Sequence, residues 1–400
     1  MNARALWLPA LAAVALGLLA PAPADAIPAF ARKYRQSCTT CHGPFPRLKP
    51  YGDQFAARGY RMEEGAEPAR ATLDVGDDLL ALPRDFPLAV RFDGFVDWAP
   101  DRVPQLDLET PFVFKALTGG SIAPGVSYYT YFIVEDGGAT MGIEDAWVQF
   151  TGILGLPVDV TVGQFQLCDP IVKRELRLLR LDYELLRARP RFSRADLTYD
   201  RGLMVAWHAP GELEVLAQIT NGNSIGPAGE TFDSDRFKTF GLRLARPFGP
   251  LRVGLFGSVG KAFADAEALA AGAGASPDQV NTTVFWGPDL QLDLGDWGQV
   301  AGQWLSRHDS NAAFDPANTG ETNTRGLWLE AVVTPQGANG RTAVTALYNK
   351  VVSDDPEAER DSLGLGASWL FARNVRLVGE VQSDLRKEEW KVSAGTVLAY

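Results

Sequence analysis

From Leu88 onward, apolar residues recur at every second position, and this period constrains the chain more than any other feature. Leu88, Val90, Phe92, Val96 and Trp98 alternate with Arg91, Asp93 and Asp97. The rhythm returns in Leu203-Val205-Trp207, Leu213-Val215-Ala217-Ile219, Phe240-Leu242-Leu244 and Leu363-Leu365-Ala367-Trp369-Phe371. In a strand this period places the apolar side chains on one face and the polar ones on the other. Segments of about ten such residues, separated by turn residues, are the signature of a transmembrane outer-membrane β-barrel. A soluble β-sandwich would run shorter strands over about 100 residues.

The connections agree with the strands. About sixteen antiparallel strands (fourteen to eighteen) are predicted over residues 87–400, starting near 88, 111, 125, 142, 157, 200, 213, 237, 251, 282, 297, 325, 341, 361, 375 and 389. Short turns, such as Pro210-Gly211-Glu212, Gly295-Asp296 and Arg373-Asn374, alternate with long links, of which Gln166 to Tyr199 is the longest. Short periplasmic turns and long extracellular loops are what a bacterial barrel requires, and both termini then fall on the periplasmic side. Every tryptophan after Trp7 is predicted to lie in a strand, many near strand ends, where interfacial girdles sit. The last strand carries Trp390, Val392, Ala394, Thr396, Leu398 and Tyr400 on one face and ends on an aromatic residue.

The N-terminus reads as a signal peptide over residues 1–26. An apolar run from Ala5 to Ala20 follows Arg4, and Ala24-Asp25-Ala26 is a small-x-small cleavage site. The mature chain is expected to begin at Ile27, outside the cytoplasm. A net charge of −11 argues against nucleic acid as a partner, whose electrostatic footprint is a basic surface.

Between the signal and the barrel stands Cys38-Thr39-Thr40-Cys41-His42. A C-x-x-C-H run supplies two thiols at the spacing of the haem vinyl groups and an imidazole for the iron. The chain has only 3 cysteines and 3 histidines, so the odds of this run by chance are on the order of 10⁻⁴. A structural zinc site needs four Cys/His ligands, and no second cluster supplies them. A redox disulfide leaves the adjacent histidine unexplained. One covalent haem c is therefore expected on Cys38 and Cys41, with His42 as the proximal iron ligand. Cys168 then has no partner for a structural disulfide and reads as a small buried or loop residue.

The haem c segment, residues 27–62, holds about 36 residues, below the ~40 at which a domain usually folds unaided. Tyr51 to Arg58 has helical character, with Gly59 placed to cap it. So short a segment cannot enclose a haem, and an acidic linker, residues 63–86, joins it to the barrel. A sixteen-stranded barrel encloses an aqueous lumen. The segment is expected to fold into that lumen from the periplasmic side and plug it.

The order of parts, with Pro28-Ala29-Phe30-Ala31-Arg32-Lys33-Tyr34 before the haem run and Pro46-Arg47-Leu48 and Gly59-Tyr60 after it, resembles the fused monohaem cytochrome c–porin family of outer-membrane iron oxidases. The close likeness covers some 35 residues, and the barrel agrees in architecture only. The resemblance implies an outer-membrane electron conduit that oxidises extracellular Fe(II). It also implies an electron passed inward to a periplasmic acceptor, a c-type cytochrome or a cupredoxin, with Cys38, Cys41 and His42 in the haem roles.

His208 and Met62 are candidates for the sixth iron ligand. His208 falls on the lumen face if Leu203, Val205 and Trp207 face lipid. Met62 is close in sequence, and a Met ligand raises the potential relative to a second His. His308 is placed at the extracellular end of its strand, away from the haem. In the long loop, Ile171 to Arg189 is predicted to be an amphipathic helix. Eight basic residues between Lys173 and Arg194 suggest either an inward-folded constriction that favours anions or a solvated outer helix. Acidic residues such as Asp354, Asp355, Glu357, Glu359 and Asp361 are weak candidates for gathering Fe(II). Two other functions fit the same parts: a haem-plugged porin for small anions, and a haem enzyme acting on a small oxidant through an open sixth position.

Overall fold

The computed structural model describes residues 29–62, 72–73, 76–77, 82–83, 87–137, 139–140, 142–168, 170–225, 232–233, 235–270, 274–317 and 320–399. The expected signal peptide, Tyr400 and most of the acidic linker lie outside these. Sixteen strands of 8 to 18 residues, from Leu88–Trp98 to Glu389–Ala399, close into an antiparallel barrel. A two-residue bridge, Ala139–Thr140, hangs on the edge of strand Val126–Asp136. The seam is the pairing of the last strand with the first, running from Val392↔Trp98 to Ala399↔Arg91. Closure leaves the sixteen strands without a free edge to template aggregation.

The predicted strand starts agree with the observed ones to within a few residues. The largest error is at the second strand, which starts at Leu106 rather than 111, so the loop before it is shorter than expected. The hairpin ends separate as the sequence implies. One end carries short turns, such as 210–212, 249–250 and 373–374, and the other carries long loops.

The period of two is visible along each strand. In Thr322–Val333 the even positions, among them Thr324, Trp328, Glu330 and Val332, are buried, while Leu329 and Val333 are exposed. In Thr342–Ser353, Ala343, Thr345, Leu347, Asn349 and Val351 point inward, and Val344 and Val352 point out. The outer surface is thus an apolar belt and the inner surface mixes polar and apolar groups. Trp98 and Trp390 meet at the long-loop end, with ring centroids 5.2 Å apart. Trp207, Trp297 and Trp369 lie at the short-turn end. Trp297 sits in the turn Gly295–Trp297 and not in a strand. Trp147 and Trp328 face the lumen, so the aromatic residues do not all serve as girdle.

Chain outside the strands folds into the lumen. Residues 170–198 fold inward from the long-loop end and pack Leu179, Leu181, Tyr183, Leu185 and Leu186 against Phe285, Leu305, Trp328, Leu347 and Val351 of the wall. Burying each of those aliphatic side chains contributes roughly 1.5–3 kcal/mol. Gly364 and Gly366 make the approach possible, since a Cβ on either would stand 2.9 Å or less from a leucine of the loop. This settles the loop's place as an inward constriction rather than an outer helix.

The expected helix over Ile171 to Arg189 is not present. Only the 3-10 turn Arg174–Leu176 and one helical turn, Glu184–Arg187, form. The wall provides the hydrogen bonds that a helix would have made. Glu380 accepts from the Arg180 and Leu181 N–H groups at 2.6 and 3.0 Å, Asn349 Oδ1 accepts from Glu184 N at 3.2 Å, and Arg307 Nη1 donates to the Ala188 and Ala195 carbonyls, each at 2.7 Å. Satisfied backbone groups have no need of the helical ladder, and tertiary contacts override propensity.

The belt predicts a lipid-face effect. Leu242 is 48% exposed near the middle of strand Thr239–Phe248. Leu242→Arg is expected to cost ~2–4 kcal/mol at the midplane. Guanidinium unfolding in lipid bilayers, followed by tryptophan fluorescence, measures this, and an unchanged midpoint would contradict the orientation.

Candidate functional site

Residues 29–62 form three short helices, Ala29–Tyr34, Cys38–Cys41 and Pro50–Ala57. Ser37 starts the second, its hydroxyl accepting from Thr39 N at 3.4 Å. One turn places Cys38 and Cys41 on the same side, because residues three apart are neighbours on a helix. His42 follows in extended conformation and bridges to Leu48. The third helix lies tightly against this turn. A Cβ on Gly52 would stand 2.4 Å from the Cys41 carbonyl oxygen, so only glycine fits there. Pro50–Ala57 confirms the predicted helix, and Gly59, at φ 67°, takes the left-handed position that follows it.

Four aromatic rings make the segment's own small core. Phe30 stacks on Tyr60 at 4.6 Å, Phe55 meets Phe30 edge-on at 5.5 Å, and Tyr34 meets Phe55 at 5.4 Å. The cluster continues into the wall, where Tyr60 lies 4.8 Å from Tyr129 and 6.0 Å from Trp147. Gln149 Nε2 donates to the Ala57 carbonyl at 2.8 Å. At the opposite side, Arg47 Nη2 donates to Glu330 Oε2 at 2.6 Å and to Gln299 Oε1 at 3.2 Å, and Arg47 Nη1 donates to the Tyr183 hydroxyl at 3.4 Å. Lys49 binds Asn339, in the turn that follows Thr322–Val333. The segment therefore sits inside the barrel at the short-turn end and touches the inward loop from below.

Between segment, wall and loop lies a cavity of about 890 Å³, within the ~300–1,000 Å³ usual for cofactor sites. Cys38, Cys41 and His42 line it together with Phe30, Tyr129, Trp147 and Val172. Both thiols are unbonded. The His42 Nδ1 lies 2.7 Å from the Pro46 carbonyl oxygen, so Nδ1 is the donor and Nε2 is left with its lone pair. Burial pushes the His42 imidazole below its ordinary pKa, against the opposing effect of that hydrogen bond. A neutral ring held by an outer hydrogen bond is the form a metal requires. These residues fit a covalently attached haem: two thiols on one face, an oriented imidazole and a largely apolar space beside them.

The sequence candidates separate clearly. His208 lines the cavity, and its Nε2 lies 3.1 Å from Asp159 Oδ2. Met62 is not among the residues lining the cavity. His308 is on the outward face at the long-loop end, where its Nδ1 lies 3.0 Å from Asn323 Oδ1. Cys168 is fully buried, with Sγ 3.3 Å from Gln166 Oε1. The cavity also takes in Met204, which the sequence reading passed over. It stands four residues before His208 on the same strand, so the parity that places one on the lumen face places both.

Five of the eight cations of the inward loop pair with carboxylates. Arg180 binds Asp97 and Glu109, Arg174 binds Asp182, Arg189 binds Asp196, Arg194 binds Asp265, and Lys115 of the wall reaches Glu175 at 3.2 Å. The basic excess read from sequence is local to the chain and not to the space. The acidic residues 354–361 are likewise engaged: Asp354 accepts from Asn323 N at 2.8 Å, Asp355 from Arg191 N at 2.6 Å, and Glu359 pairs with Arg386. Among the described residues, no three His, Cys, Asp or Glu side chains are placed to hold a metal ion.

The barrel is a porin fold. OmpT of Vibrio cholerae, an outer membrane protein solved as a loop deletion mutant, superposes with a TM-score of 0.56 at 12% identity over 79% of this chain and 99% of that one. The anion-selective porin from Comamonas acidovorans gives 0.54 at 12% identity over 79% and 99%. Salmonella typhi OmpF gives 0.52 at 10% over 78% and 97%. No family model and no curated protein matches the sequence.

The ion pairs imply an acid transition in the loop. Burial opposes ionisation of Asp182, yet Arg177 and Arg174 hold its carboxyl well below the usual range; burial likewise opposes ionisation of Glu175, which Lys115 and the Tyr199 hydroxyl hold low. Depressed folded values stabilise the docked loop above the unfolded pKa of ~4, and that contribution is lost as pH falls below it. Protection from hydrogen exchange at residues 174–186, corrected for the intrinsic rate, should fall between about pH 5 and about pH 2. Constant protection across that interval would refute it.

Proposed function

We propose that the chain is an outer-membrane electron conduit, carrying one haem c on Cys38 and Cys41 with His42 as proximal ligand. Its donor is extracellular Fe(II), and its acceptor is a periplasmic c-type cytochrome or cupredoxin. The observation that carries this reading is the shared cavity. A C-x-x-C-H turn with an oriented histidine opens onto a space whose remaining walls belong to a porin-type barrel and its inward loop. Bound there, a haem would supply a one-electron iron couple.

The protein's part is to hold, shield and orient. Cys38 and Cys41 tether the cofactor, Pro46 fixes the ring of His42, and Phe30, Tyr129 and Trp147 keep water from it. His208 and Met204 line the same space from the wall and would be candidates to complete the iron's ligation. The Tyr183 and Trp328 contacts, with both residues essentially fully buried, occupy the lumen above. That packing favours a conduit over an open channel. The ion pairs that engage five of the loop's eight cations weigh against a second reading, a haem-plugged porin for small anions.

Purified outer-membrane protein is expected to show a covalent c-type haem spectrum, to be reduced by Fe(II) at neutral pH and to be reoxidised by a periplasmic cytochrome or cupredoxin. Cys38→Ala with Cys41→Ala should abolish the covalent spectrum while the barrel still folds. Haem that stays oxidised in Fe(II), with ligation intact, defeats the donor assignment. Ready conductance of small anions, independent of redox state, favours the porin reading.

A further inference from the structure

Arg376 lies on the lumen side of strand Val375–Asp384, near the short-turn end, and lines the same cavity as Cys38, Cys41 and His42. It is 3% exposed, and its Nε and Nη1 are buried without a hydrogen-bond partner. Among the described residues it is the one guanidinium with two such nitrogens; Arg61, Arg177, Arg180 and Arg194 each leave only Nε unmatched. The lumen carboxylates around it are already committed. Asp93 accepts from Arg91 Nε at 2.8 Å and from Arg91 Nη2. Glu380 accepts from the Arg180 and Leu181 backbone N–H groups and, at 2.7 Å, from Gln382 Nε2. The register Arg376↔Val397↔Asp93 sets Arg376 two strands from the Arg91–Asp93 pair, and Arg91 also lines the cavity.

A buried guanidinium with free donors is unfavourable unless an anion meets it. Its planar fork suits a carboxylate in particular. We infer that Arg376 is an anion receptor built into the cavity wall, and that its occupant is a propionate carboxylate of the cofactor. The inference rests on the proposal that Cys38 and Cys41 carry a haem. Attachment through the vinyl groups leaves both propionates free, and a carboxylate enclosed in the lumen needs a cation as much as Arg376 needs an anion. A free inorganic anion such as phosphate offers the same chemistry, and the experiment separates the two.

The test uses full-length, haem-loaded protein as wild type, Arg376→Gln and Arg376→Lys. Haem content is measured first by the alkaline pyridine spectrum. Absence of covalent haem in the wild type overturns the parent reading and this inference with it. With haem present, redox-difference infrared spectra are taken on protein whose propionate carboxyls carry ¹³C. The inference expects labelled carboxylate bands that move in Arg376→Gln and recover in part in Arg376→Lys. Loss of the positive charge favours the oxidised iron. At fixed electrode potential the oxidised-to-reduced ratio should therefore rise roughly tenfold in Arg376→Gln, equivalent to about 59 mV for one electron. Should Arg376→Gln fail to fold, the wild type and Arg376→Lys supply the same comparison of labelled bands. Labelled bands indifferent to Arg376 overturn the inference, with haem attachment left standing. So does a wild-type potential that shifts saturably with added phosphate and loses that response in Arg376→Gln.

Discussion

A closed barrel of sixteen strands encloses more space than its inward side chains can fill, and the rest of this structure answers that geometry. Two stretches of non-barrel chain occupy the lumen, the inward loop from the long-loop end and the N-terminal segment from the other. They meet at Arg47. Its guanidinium joins Glu330 of the wall and approaches the Tyr183 hydroxyl of the loop, so a single side chain ties all three parts together. A lysine could neutralise Glu330 but could not address Glu330, Gln299 and Tyr183 with separate donors in one plane. Glu330 is 1% exposed, and breaking such a buried pair typically costs about 3–5 kcal/mol because it strands a charge.

Charge explains why the segment sits where it does. Between residues 29 and 62 there are seven Lys and Arg residues and one carboxylate, Asp53, in a chain of net charge −11. The segment is a basic plug in an acidic housing. Electrostatic attraction is non-specific at a distance and does not fix a pose. The pose comes from close approaches that tolerate little else: Gly59 against Ser127, where a Cβ would be 2.0 Å from the hydroxyl, and Gly52 against the Cys41 carbonyl.

What the sequence revealed follows from what is periodic or local. Alternation makes strands, parity and closure readable, because each strand's inner and outer residues differ in kind. The C-x-x-C-H run and the helix ending before Gly59 are readable because their determinants lie within a few residues. The inward loop is different. Its apolar spacing at Val172, Leu176, Leu179, Tyr183 and Leu186 imitates a helix. The residues that satisfy its backbone, Glu380, Asn349 and Arg307, stand well over a hundred positions away, and no local window contains them. Trp147 and Trp328 went unrecognised as lumen residues for a related reason. Parity assigns them inward, while the general preference of tryptophan for membrane interfaces points the other way, and here the parity prevails.

Identities of 10–12% to outer-membrane barrels of known structure are what such a fold permits, since alternation and turn chemistry specify a barrel without specifying residues. The wall accordingly says little about activity, and the lumen contents must carry that argument. Here they differ in kind from a water-filled pore. An aqueous channel would leave Trp328 wet and gain nothing from Gly364 and Gly366, whereas in this chain those positions are shaped to receive leucines of the loop. A cavity bounded in part by Cys38, Cys41 and His42 survives this packing. Among the described residues, the packed loop leaves room beside two thiols and an oriented imidazole, and any argument for activity has to start from that space.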